Sequence, residues 1–583
     1  MLDVIIIGGG PAGSTVASLL KKYNPDLTVS IYERAIFPRD HVGESQLPSI
    51  GPILEEMGVW DKIEAAKFPI KIGASYTWGR NNERWDFDFY PIEDWKDNQR
   101  PEKYEGQRKY TAFQVDRAIY DNILLRHSEE KGVEVHENQG VKQVLRDGDK
   151  ITGLQLADDS IVRAKYYVDA TGVTGLFRKT FSIENWSPQE LKNIAVWNYW
   201  TNADWAVEIG KGATRVQVRS LPYGWIWFIP LGETRTSVGL ICPAEYVKQN
   251  GKSAKQLYQT AIQEQKEIAS LLKNATPEGD VSLTKDWSHL LEQLVGDNWF
   301  VCGEAAGFAD PILAAGMSLA HSSAREVAYT ILAIEKKSHD QQWLKDRYEE
   351  KTRNNIQQHI KFAQYWYAAN GCFTDLQQNC SAIAKEAGLQ LSPEKAWQWL
   401  SQGGFTTEQL GLATFGSFDI SSARQLISKF DKSERVSQMK ISGFNKFKLN
   451  TRGAKPFFLG HSENGEITQV PCLKRGQQVL PDIGYYQTMT QLLKQTSDIH
   501  IILANLKSKI ANEVPPAKQN LTFSACIQAL EAMAEQNWVE CKVNKKKPII
   551  NIGSAESRHI RSSAQADKAI AKSKNAHILK SNI

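Results

Sequence analysis

Residues 3–13, DVIIIGGGPAG, pass from a short apolar stretch directly into a glycine-rich turn, and this junction decides the fold. The pattern predicts a buried parallel strand that ends at Gly8 and a helix over residues 14–22. Gly8, Gly10 and Gly13 occupy the positions of a G-x-G-x-x-G fingerprint. In this fingerprint the first glycine permits a tight turn, the second lets the backbone approach a pyrophosphate, and the third lets helix and strand pack closely. We therefore expect a Rossmann-type α/β domain that binds a dinucleotide.

The residues around this fingerprint complete the predicted nucleotide site. Pro11 and Ala12 stand at the start of the helix, where free N–H groups and the positive end of the helix dipole favour phosphate. A second strand, predicted over residues 28–32, ends at Glu33. An acid about twenty residues past the last glycine is placed to bind ribose hydroxyls. Glu33 and the adjacent Arg34 are therefore candidate cofactor contacts.

The composition is typical of a soluble protein with more than one domain. A chain of 583 residues is long enough for two or three domains, and no stretch approaches the roughly 18 apolar residues of a membrane span. The seven cysteines form no C-x-x-C pair, so neither a metal site nor a disulfide framework is predicted. The N-terminus lacks the basic region of a signal peptide. We expect a cytoplasmic protein with no membrane partner.

Charge is distributed unevenly along the chain. The net charge is +4, yet residues 541–583 carry ten Lys or Arg against two acidic residues, which gives +8 for this segment. With few large apolar side chains, the segment is predicted to be a flexible, solvated tail, and a phosphate-binding or partner-docking role is the alternative. No nucleic-acid reader motif accompanies it, so nucleic acid is not an expected partner.

Residues 221–230, LPYGWIWFIP, carry the most specific chemical signal in the chain. One residue separates Trp225 from Trp227, and this period-two spacing places both indoles on one face of a strand. Alone, this pair would indicate only a buried aromatic strand. Together with Ile229 and Pro230, it resembles the W-x-W-x-I-P signature of flavin-dependent halogenases. The resemblance implies that the two indoles wall a passage off from the flavin.

Resemblance to FAD monooxygenases and halogenases also selects FAD as the cofactor. Residues 163–172, RAKYYVDATG, look like the second dinucleotide-contacting segment of these enzymes. By the same resemblance, Arg117 reaches the flavin side and Val141 lies on the strand that contacts adenine. Gly303 and Glu304 stand where the family has a Gly-Asp pair that contacts the ribityl and pyrophosphate region. Glutamate departs from the pattern here, because its longer side chain changes the reach.

Two further segments resemble flavin-dependent halogenases, and the first of them resembles the branch that acts on phenols and on carrier-bound substrates. Residues 41–48, HVGESQLP, resemble a loop that lies along the flavin, which makes Glu44 and Ser45 candidate flavin contacts. Residues 68–79, FPIKIGASYTWG, match the K-x-G-x-x-x-x-W-G segment that holds the family's active-site lysine. In this chain that lysine is Lys71, the predicted catalytic residue.

Alternation of residue type over 70–78 predicts a strand, with Lys71, Gly73, Ser75 and Thr77 on one face. A lysine inside such an aromatic strand is unusual, because burying an ammonium without a partner is costly. By the resemblance, the amine presents hypohalous acid to the substrate. It does so either as an ammonium that donates a hydrogen bond or as a neutral amine that is itself halogenated. An edge-strand lysine with its head in water is the alternative.

Residues 303–321, GEAAGFADPILAAGMSLAH, are similar to the segment that holds the halide in the family. Pro311 and Gly316, both candidate flavin contacts, fit its F-x-x-P-x-x-S-x-G pattern, although Ala314 replaces the usual serine. The resemblance implies that chloride or bromide is held at Ala315 and Gly316. Backbone N–H groups can hold an anion without a special side chain.

The position two residues after that proline bears on the substrate. Tryptophan halogenases carry a glutamate there, which polarises the indole and accepts its proton, whereas this chain has Leu313. We therefore expect a substrate other than free tryptophan. A phenolic, tyrosine-like ring activates itself and needs less help from a carboxylate. Such a ring is expected as a free small molecule or bound to a peptide or carrier protein.

The resemblance also implies a mechanism and a partner. Reduced FAD (FADH2) and O2 form a C4a-hydroperoxide, halide held near Gly316 attacks its distal oxygen, and the resulting hypohalous acid reaches Lys71. One dinucleotide fingerprint is visible in the sequence. Reduced FAD is therefore expected from a separate flavin reductase.

The predicted architecture combines the FAD-binding domain with a mixed-sheet substrate region and a mainly helical C-terminal region. We expect a core over residues 1–330, in which residues 68–115 and 190–245 supply the substrate-side sheet, then a helical domain over 331–540 and a tail over 541–583. Helices are predicted over residues 341–370, 392–410, 488–509 and 523–537, and strands within residues 443–478. Tyr365, Trp366 and Tyr367 are interpreted as aromatic core, with contact to the substrate space as the alternative.

Three other functions share part of the pattern. An FAD hydroxylase or epoxidase of the same fold would not need Lys71 or the paired tryptophans. A saturase like the prenyl-group reductases shares the glycine-rich opening but lacks the tryptophan pair and the lysine strand. A flavoprotein scaffold would bind FAD without turnover.

Overall fold

Two compact units make up the chain. The first comprises Met1–Ala387, Asn464–Glu466 and His559–Ile583, and the second comprises Gly388–Glu463 and Ile467–Arg558. The computed structural model describes residues 2–79, 83–210, 212–285, 288–375, 414–415, 418–419, 439–476, 478–551, 560–562, 565, 568 and 576–577.

A parallel sheet forms the nucleotide-binding part of the first unit. Its central strand is Leu2–Ile7, and the side chains from Val4 to Ile7 are buried, as expected when both faces of a parallel sheet are covered. The helix Pro11–Tyr23 follows the glycine turn and packs against the helices Arg117–Glu130 and Gly316–Lys336. The five strands lie in the order Trp299–Val301, Ala164–Asp169, Leu2–Ile7, Val29–Tyr32 and Glu134–His136.

A mixed sheet of twelve strands is the second layer of this unit. The pairing of Ile70–Thr77 with Ala213–Leu221 is parallel, and its other pairings are antiparallel. Its main path runs in the order Thr276–Pro277, Asn193–Thr201, Arg235–Pro243, Gly224–Pro230, Ala213–Leu221, Ile70–Thr77, Arg84–Asp88 and Ile560–Ser562. Four more strands pair beside this path: Ala112–Phe113, Glu208–Ile209, Ser282–Lys285 and Ala576–His577. The predicted mixed-sheet region is thus confirmed.

A hydrophobic core fills the space between this sheet and two helices, Ala254–Glu264 and Lys266–Leu271. Phe228, Val238 and Leu240 from the sheet belong to it. The remaining helices of the unit are Gly51–Met57, Trp60–Ala65, Leu176–Phe181, Ala244–Asn250 and Gln341–Ala368. Two small sheets complete it, one formed by Asn185–Trp186, His289–Leu291 and Gly307–Phe308, the other by Val141–Asp147, Lys150–Leu156 and Ile161–Val162.

Within its described residues, the second unit combines three helices with short sheets. The helices Gly484–Gln495, Ile499–Glu513 and Pro516–Glu535 share a core in which Met489, Leu506 and Trp538 are buried. Its strand pairings are Lys446–Leu449 with Val539–Lys542, Thr414–Phe415 with Phe418–Asp419, and a sheet of Lys455–Glu463, Glu466–Arg475 and Gln478–Pro481. None of the helices in the described ranges combines the length and apolarity needed to cross a bilayer.

The helix predictions beyond the core are partly correct. The helix predicted over residues 341–370 is confirmed as Gln341–Ala368, and residues 443–478 do form strands. The single helix predicted over residues 488–509 is wrong, because Asp498 accepts a hydrogen bond from His500 N and caps the start of a new helix. The helix predicted over residues 523–537 begins earlier, at Pro516. Residues 392–410 lie outside the described residues.

The predicted solvated tail is wrong for one segment. Ile560–Ser562 forms a strand that pairs with Arg84–Asp88, and Ile560 is 2% exposed. Arg561 forms an ion pair with Glu93 at 2.7 Å. The basic net charge of the region therefore does not predict the position of Ile560–Ser562. The buried Ile560 and the ion-paired Arg561 hold this segment at the edge of the mixed sheet.

Candidate active site

At the glycine fingerprint, the first helix and the glycine turn pack closely against neighbouring backbone. Gly8 has a φ of +107°, and a Cβ there would lie 2.4 Å from Ala170 O. A Cβ on Gly13 would lie 1.9 Å from Gly8 O, so helix and strand approach each other as predicted. Within the described ranges, the nearest atom to a Cβ on Gly10 is Arg39 Nη2 at 3.5 Å. The helix N-terminus at Gly10 can therefore admit a phosphate.

The Glu33 carboxylate faces this glycine turn. Glu33 is 6% exposed, and its Oε2 accepts a hydrogen bond from Gly9 N at 2.7 Å. The neighbouring Arg34 is exposed, and a Cβ on Gly140 would lie 3.3 Å from Arg34 Cβ. Glu33, Arg34 and the start of the Val141 strand therefore lie together just beyond the C-terminal end of the strand Val29–Tyr32.

Asp169, the last residue of the strand Ala164–Asp169, stabilises the Asp-Ala-Thr-Gly turn through hydrogen bonds from backbone N–H groups. Asp169 Oδ1 accepts from Thr171 N at 3.0 Å, and Oδ2 accepts from Phe177 N at 2.7 Å. The Asp169 side chain is completely buried. Its role is therefore to order the turn that meets Gly8.

Glu304 lies beside that turn. Its Oε2 is 3.6 Å from the position that a Cβ on Gly172 would occupy. The preceding Gly303 has a φ of +65°, and a Cβ there would lie 2.9 Å from Ala12 Cβ. Burial raises the pKa of Glu304. The 303–304 pair is thus adjacent to the first helix and to the second dinucleotide segment, where the resemblance expects it.

Arg117 holds loop 41–48. Its Nε donates to Asp121 Oδ1 at 2.7 Å and its Nη2 donates to Asp121 Oδ2 at 2.9 Å. Its Nη1 donates to Val42 O at 3.1 Å and to Gly43 O at 3.2 Å. The guanidinium therefore positions the loop through its backbone carbonyls, and a direct contact between Arg117 and flavin stays a prediction.

Loop 41–48 also places polar groups in buried surroundings. Glu44 Oε1 accepts a hydrogen bond from Tyr199 OH at 3.0 Å, and burial raises the pKa of Glu44 to about 7. Ser45 Oγ and both polar atoms of the Gln114 side chain are buried without a hydrogen-bond partner in the part of the chain that is described. Because buried polar groups are normally paired, these atoms fit the polar groups of a bound cofactor.

Lys71 is a buried lysine attached to the same loop. It is 2% exposed, its Nζ donates to Gln46 O at 2.9 Å, and the Nζ lies 5.3 Å from the centre of the Phe89 ring. Burial lowers the pKa of Lys71 to about 7. The alternative of an edge-strand lysine with its head in water is therefore excluded. Near neutral pH a substantial fraction of this amine is uncharged and nucleophilic.

The strand around Lys71 is less regular than predicted. Lys71 pairs with Thr214 and Gly73 pairs with Arg215, so Ile72 is an extra residue in the pairing. A bulge of this kind interrupts the alternation of side chains. The predicted strand is confirmed as Ile70–Thr77, and the bulge falls between Lys71 and Gly73, two of the residues predicted to share a face.

The predicted halide position coincides with the start of a long helix. The 21-residue helix Gly316–Lys336 has Ala315 as its N-cap. Its first N–H groups lack intrahelical acceptors, and its dipole is positive at this end, so an anion is favoured there. Ala314 adopts a left-handed φ of +55°. A Cβ on Gly316 would lie 2.6 Å from the Phe308 ring, so the close approach of that ring requires glycine.

Trp225 is connected to the turn before this helix through a tyrosine. Trp225 Nε1 donates to Tyr367 OH at 2.8 Å, and Tyr367 OH donates to Asp310 Oδ1 at 3.1 Å. Asp310 Oδ1 also accepts from Ile312 N at 2.9 Å and so caps the turn that begins at Pro311. A buried chain of hydrogen bonds therefore links the tryptophan signature to the candidate halide segment.

The structure does not bring the paired tryptophans against Lys71. The Trp225 and Trp227 rings lie 6.1 Å apart on the buried strand Gly224–Pro230, which also holds Ile229 and Pro230. Trp227 pairs with Val218, which in turn pairs with Tyr76. Tyr76 is five residues beyond Lys71, which corresponds to ~17 Å along the strand. The two indoles therefore lie closer to the turn that begins at Pro311, in the candidate halide segment, than to the Lys71 amine.

Comparison with known proteins identifies the family. The tryptophan halogenase family model matches residues 3–98 and 91–379. The chain belongs to the tryptophan halogenase family. The chain is 33% identical over 339 residues to tryptophan 2-halogenase of Chondromyces crocatus, a match that covers 57% of this chain and 61% of that protein. It thus spans less than two thirds of that relative's length.

Two further comparisons extend the match. A chlorinase of 1H-pyrrole-2-carbonyl peptidyl-carrier protein from Pseudomonas fluorescens is 31% identical to this chain over 395 residues, which cover 65% of this chain and 86% of that protein. The crystal structure of the flavin-dependent halogenase CmlS is similar in fold, with a TM-score of 0.70 over 96% of this chain and 98% of that chain at 23% identity. The predictions of a flavin-dependent halogenase and of an α/β FAD-binding fold are confirmed, and the family implies FAD and a halide.

Several polar residues of the candidate site were not predicted from the sequence. Gln46 and Gln114 lie within segments whose other residues carried the resemblance, but an isolated glutamine gives no signal of its own. Tyr199 lies on a strand that no motif marked. Tyr367 was interpreted as aromatic core, and it is buried, yet its hydroxyl joins Trp225 to Asp310.

Replacing Tyr367 with phenylalanine is expected to weaken the turn that begins at Pro311 without unfolding the protein. The change keeps the ring but removes the hydroxyl between Trp225 and Asp310, at a cost of about 1–2 kcal/mol. We expect the bromide KM to rise about tenfold with a smaller change in kcat. Tyr348→Phe is the matched control, because Tyr348 lies on the same helix and its hydroxyl donates to Val301 O at 2.5 Å. Equal effects of both variants on the bromide KM would contradict a specific role for Tyr367.

Proposed function

We propose that this halogenase chlorinates or brominates an electron-rich aromatic ring, phenolic or tyrosine-like, and that Lys71 presents the halogen to it. The observation that carries the proposal is the environment of Lys71. The amine is 2% exposed, burial lowers its pKa to about 7, and its hydrogen bond to Gln46 O joins it to loop 41–48. A buried, partly neutral amine next to a predicted flavin loop is suited to carrying an electrophilic halogen.

The FAD fits the first unit of the chain. Gly8, Gly10 and Gly13 leave the first helix open to the pyrophosphate, and Glu33 is placed for the ribose. The unpaired Ser45 and Gln114 atoms provide hydrogen-bonding groups beside loop 41–48. Pro11, Ala12, Arg34, Glu44, Arg117, Val141, Glu304, Pro311 and Gly316 are proposed as further contacts. When bound in its reduced form with O2, the flavin supplies the oxidising equivalent that converts halide to hypohalous acid, and a separate flavin reductase would provide FADH2.

The chain's own residues perform the remaining steps. The N–H groups at the start of the helix Gly316–Lys336 hold chloride or bromide, with Ala315 as the N-cap. Trp225 and Trp227 wall off from the flavin the passage that hypohalous acid crosses. Neutral Lys71 attacks hypohalous acid, so that an N–halogen bond forms, the O–halogen bond breaks and water leaves. The ring then takes the halogen from nitrogen and loses a proton.

Two observations support the substrate class. Leu313 stands at the position of the carboxylate that an indole would need, and a phenol requires less activation. The Pseudomonas relative is named for a substrate attached to a carrier protein. We therefore include peptide-bound and carrier-bound rings, as well as free ones, among the proposed substrates.

Bromination of a simple phenol tests the proposed function. The protein is supplied with chemically reduced FAD, O2, bromide and resorcinol, with catalase present to remove leaked peroxide, and the product is identified by mass. Resorcinol and a tyrosine thioester on a carrier protein are compared. Brominated product from either substrate supports the proposal. Hydroxylated product without bromine would instead indicate an FAD hydroxylase, and no product from either would contradict the proposed substrate class.

The pH dependence should reveal which form of Lys71 reacts. Burial lowers the pKa of the Lys71 amine from an ordinary value of 10.5 to about 7, so the ammonium predominates below that pH and the neutral amine above it. If the amine is halogenated, the single-turnover rate of halogen transfer rises between pH 6 and 8 and then levels off. A rate that falls over this range would indicate that the ammonium polarises hypohalous acid instead.

A further inference from the structure

Met317 is next to the proposed halide position in the chain and contacts Gln46, the residue that binds Lys71. It follows Gly316 directly, so its own N–H belongs to the first turn of the helix Gly316–Lys336. Its Sδ is 4.0 Å from Gln46 Nε2, and Gln46 O accepts the hydrogen bond from Lys71 Nζ at 2.9 Å. One glutamine therefore contacts both the thioether and the amine. A hypohalous acid formed at the helix start and used at Lys71 would come close to this sulfur.

The chemistry of the side chain makes this placement significant. A thioether is a soft, polarisable nucleophile that stays uncharged at every pH, whereas Lys71 is nucleophilic only when it has lost its proton. Met317 is 5% exposed, so oxidants in bulk solution have little access to it. Met57 is also buried, at 0% exposure, but it lies on the helix Gly51–Met57 and contacts Thr15. The two methionines therefore differ in position more than in burial.

We propose that Met317 is an oxidation site of this enzyme, at which hypohalous acid that is not used for substrate is intercepted and a methionine sulfoxide forms. This inference rests on the proposed function, because that function supplies the oxidant. The oxygen of hypohalous acid is transferred to Sδ, an S–O bond forms and the O–halogen bond breaks. Sulfur loses two electrons, the halogen leaves as halide, and the proton goes to solvent.

The sulfoxide changes the surroundings of the site. Oxidation converts a flexible apolar side chain into a polar one that accepts strong hydrogen bonds. The Gln46 side-chain amide, now 4.0 Å from the sulfur, is a donor close to Met317, and the backbone carbonyl of the same residue accepts the hydrogen bond from Lys71. Turnover without substrate should therefore inactivate the enzyme by a change centred on this residue, and methionine sulfoxide reductase should reverse it.

Peptide mass mapping after turnover without an aromatic substrate tests the proposal. The full chain with FAD is given reductant, O2, bromide and catalase, and the sulfoxide is quantified at Met317 and at Met57. We expect at least about tenfold more sulfoxide at Met317, strong suppression when resorcinol is present, and none above background when bromide is omitted. Equal oxidation of the two methionines, or oxidation that does not depend on bromide, would overturn the proposal.

Two variants separate this inference from the role of Lys71. Met317→Leu should complete more turnovers before activity is lost, and Met57→Leu should not. In Lys71→Leu, bromination of resorcinol should fall while sulfoxide at Met317 persists, because hypohalous acid still forms. If resorcinol is brominated by the unaltered enzyme but Met317 stays unoxidised during turnover without substrate, this inference fails alone. If no hypohalous acid forms, the proposed function fails and this inference with it.

Discussion

Replacing Lys71 with leucine is expected to reduce bromination of resorcinol by about a hundredfold to a thousandfold or more, while FAD still binds. Lys71 is the one proposed halogen carrier, and leucine offers neither a lone pair nor a donor. The proposed nucleotide contacts lie around Gly8 and Glu33, whereas the Lys71 amine is hydrogen-bonded to Gln46 O in loop 41–48. FAD affinity is measured by fluorescence quenching, and peroxide release shows that the flavin still reacts with O2.

The same variant should be more stable than the unaltered protein near neutral pH. Burial lowers the pKa of Lys71, so between about pH 7 and 10.5 the unfolded chain binds a proton that the folded chain does not. The free energy of unfolding of the unaltered protein therefore rises with pH over this window, and removing the amine gains on the order of 4 kcal/mol at pH 7. This advantage should shrink as the pH approaches 10.5. If Lys71 instead stabilised the fold, its replacement with leucine would lower the free energy of unfolding.

Lys345→Leu is the matched control. Lys345 is also buried, at 7% exposure, its Nζ donates to Asp297 O at 2.6 Å, and burial lowers its pKa. It lies on the helix Gln341–Ala368, away from loop 41–48. We expect this variant to brominate resorcinol at nearly the unaltered rate. If Lys345→Leu lost activity as severely as Lys71→Leu, or if Lys71→Leu remained active, the amine would have no special role.

The parts of the fold that local sequence controls were predictable. The strand before Gly8 and the turn at Gly13 follow from apolar periodicity and from backbone positions that only glycine can occupy. The helix Gln341–Ala368 follows from its length and periodicity. By contrast, the break between the helices on either side of Asp498 depends on one capping hydrogen bond. The strand Ile560–Ser562 depends on pairing with Arg84–Asp88, more than four hundred residues earlier. Neither of these interactions has a periodic signature.

The candidate site shows the same division. The sequence identified Lys71, because its motif is local, and the structure shows that this amine is buried. The sequence could not show that Gln46 holds the amine through a backbone carbonyl or that Met317 contacts the same glutamine. The bulge at Ile72 likewise comes from pairing between strands. Residue type predicts the reacting groups, whereas long-range register and loop contacts decide which groups meet.

Replacing Gly13 with alanine is expected to prevent FAD binding by distorting the nucleotide domain. A Cβ at this position would lie 1.9 Å from Gly8 O, a backbone atom that no side-chain rotation can move away. The first helix must shift from the Leu2–Ile7 strand, at a cost of about 3 kcal/mol or more in unfolding free energy. Because that shift also displaces the N-terminus of the helix, the phosphate site is lost. Urea unfolding and FAD titration measure the two effects.

Gly10→Ala should separate the phosphate site from the stability of the domain. Among the described residues, a Cβ on Gly10 meets Arg39 Nη2 at 3.5 Å, an ordinary contact with the end of a flexible side chain. The free energy of unfolding without FAD should therefore change by no more than about 1 kcal/mol. FAD affinity should nevertheless fall by about tenfold or more, because the methyl group occupies the side from which the pyrophosphate approaches. Normal FAD affinity in Gly10→Ala would contradict a pyrophosphate at this turn, and unfolding as severe as in Gly13→Ala would show that both glycines serve packing alone.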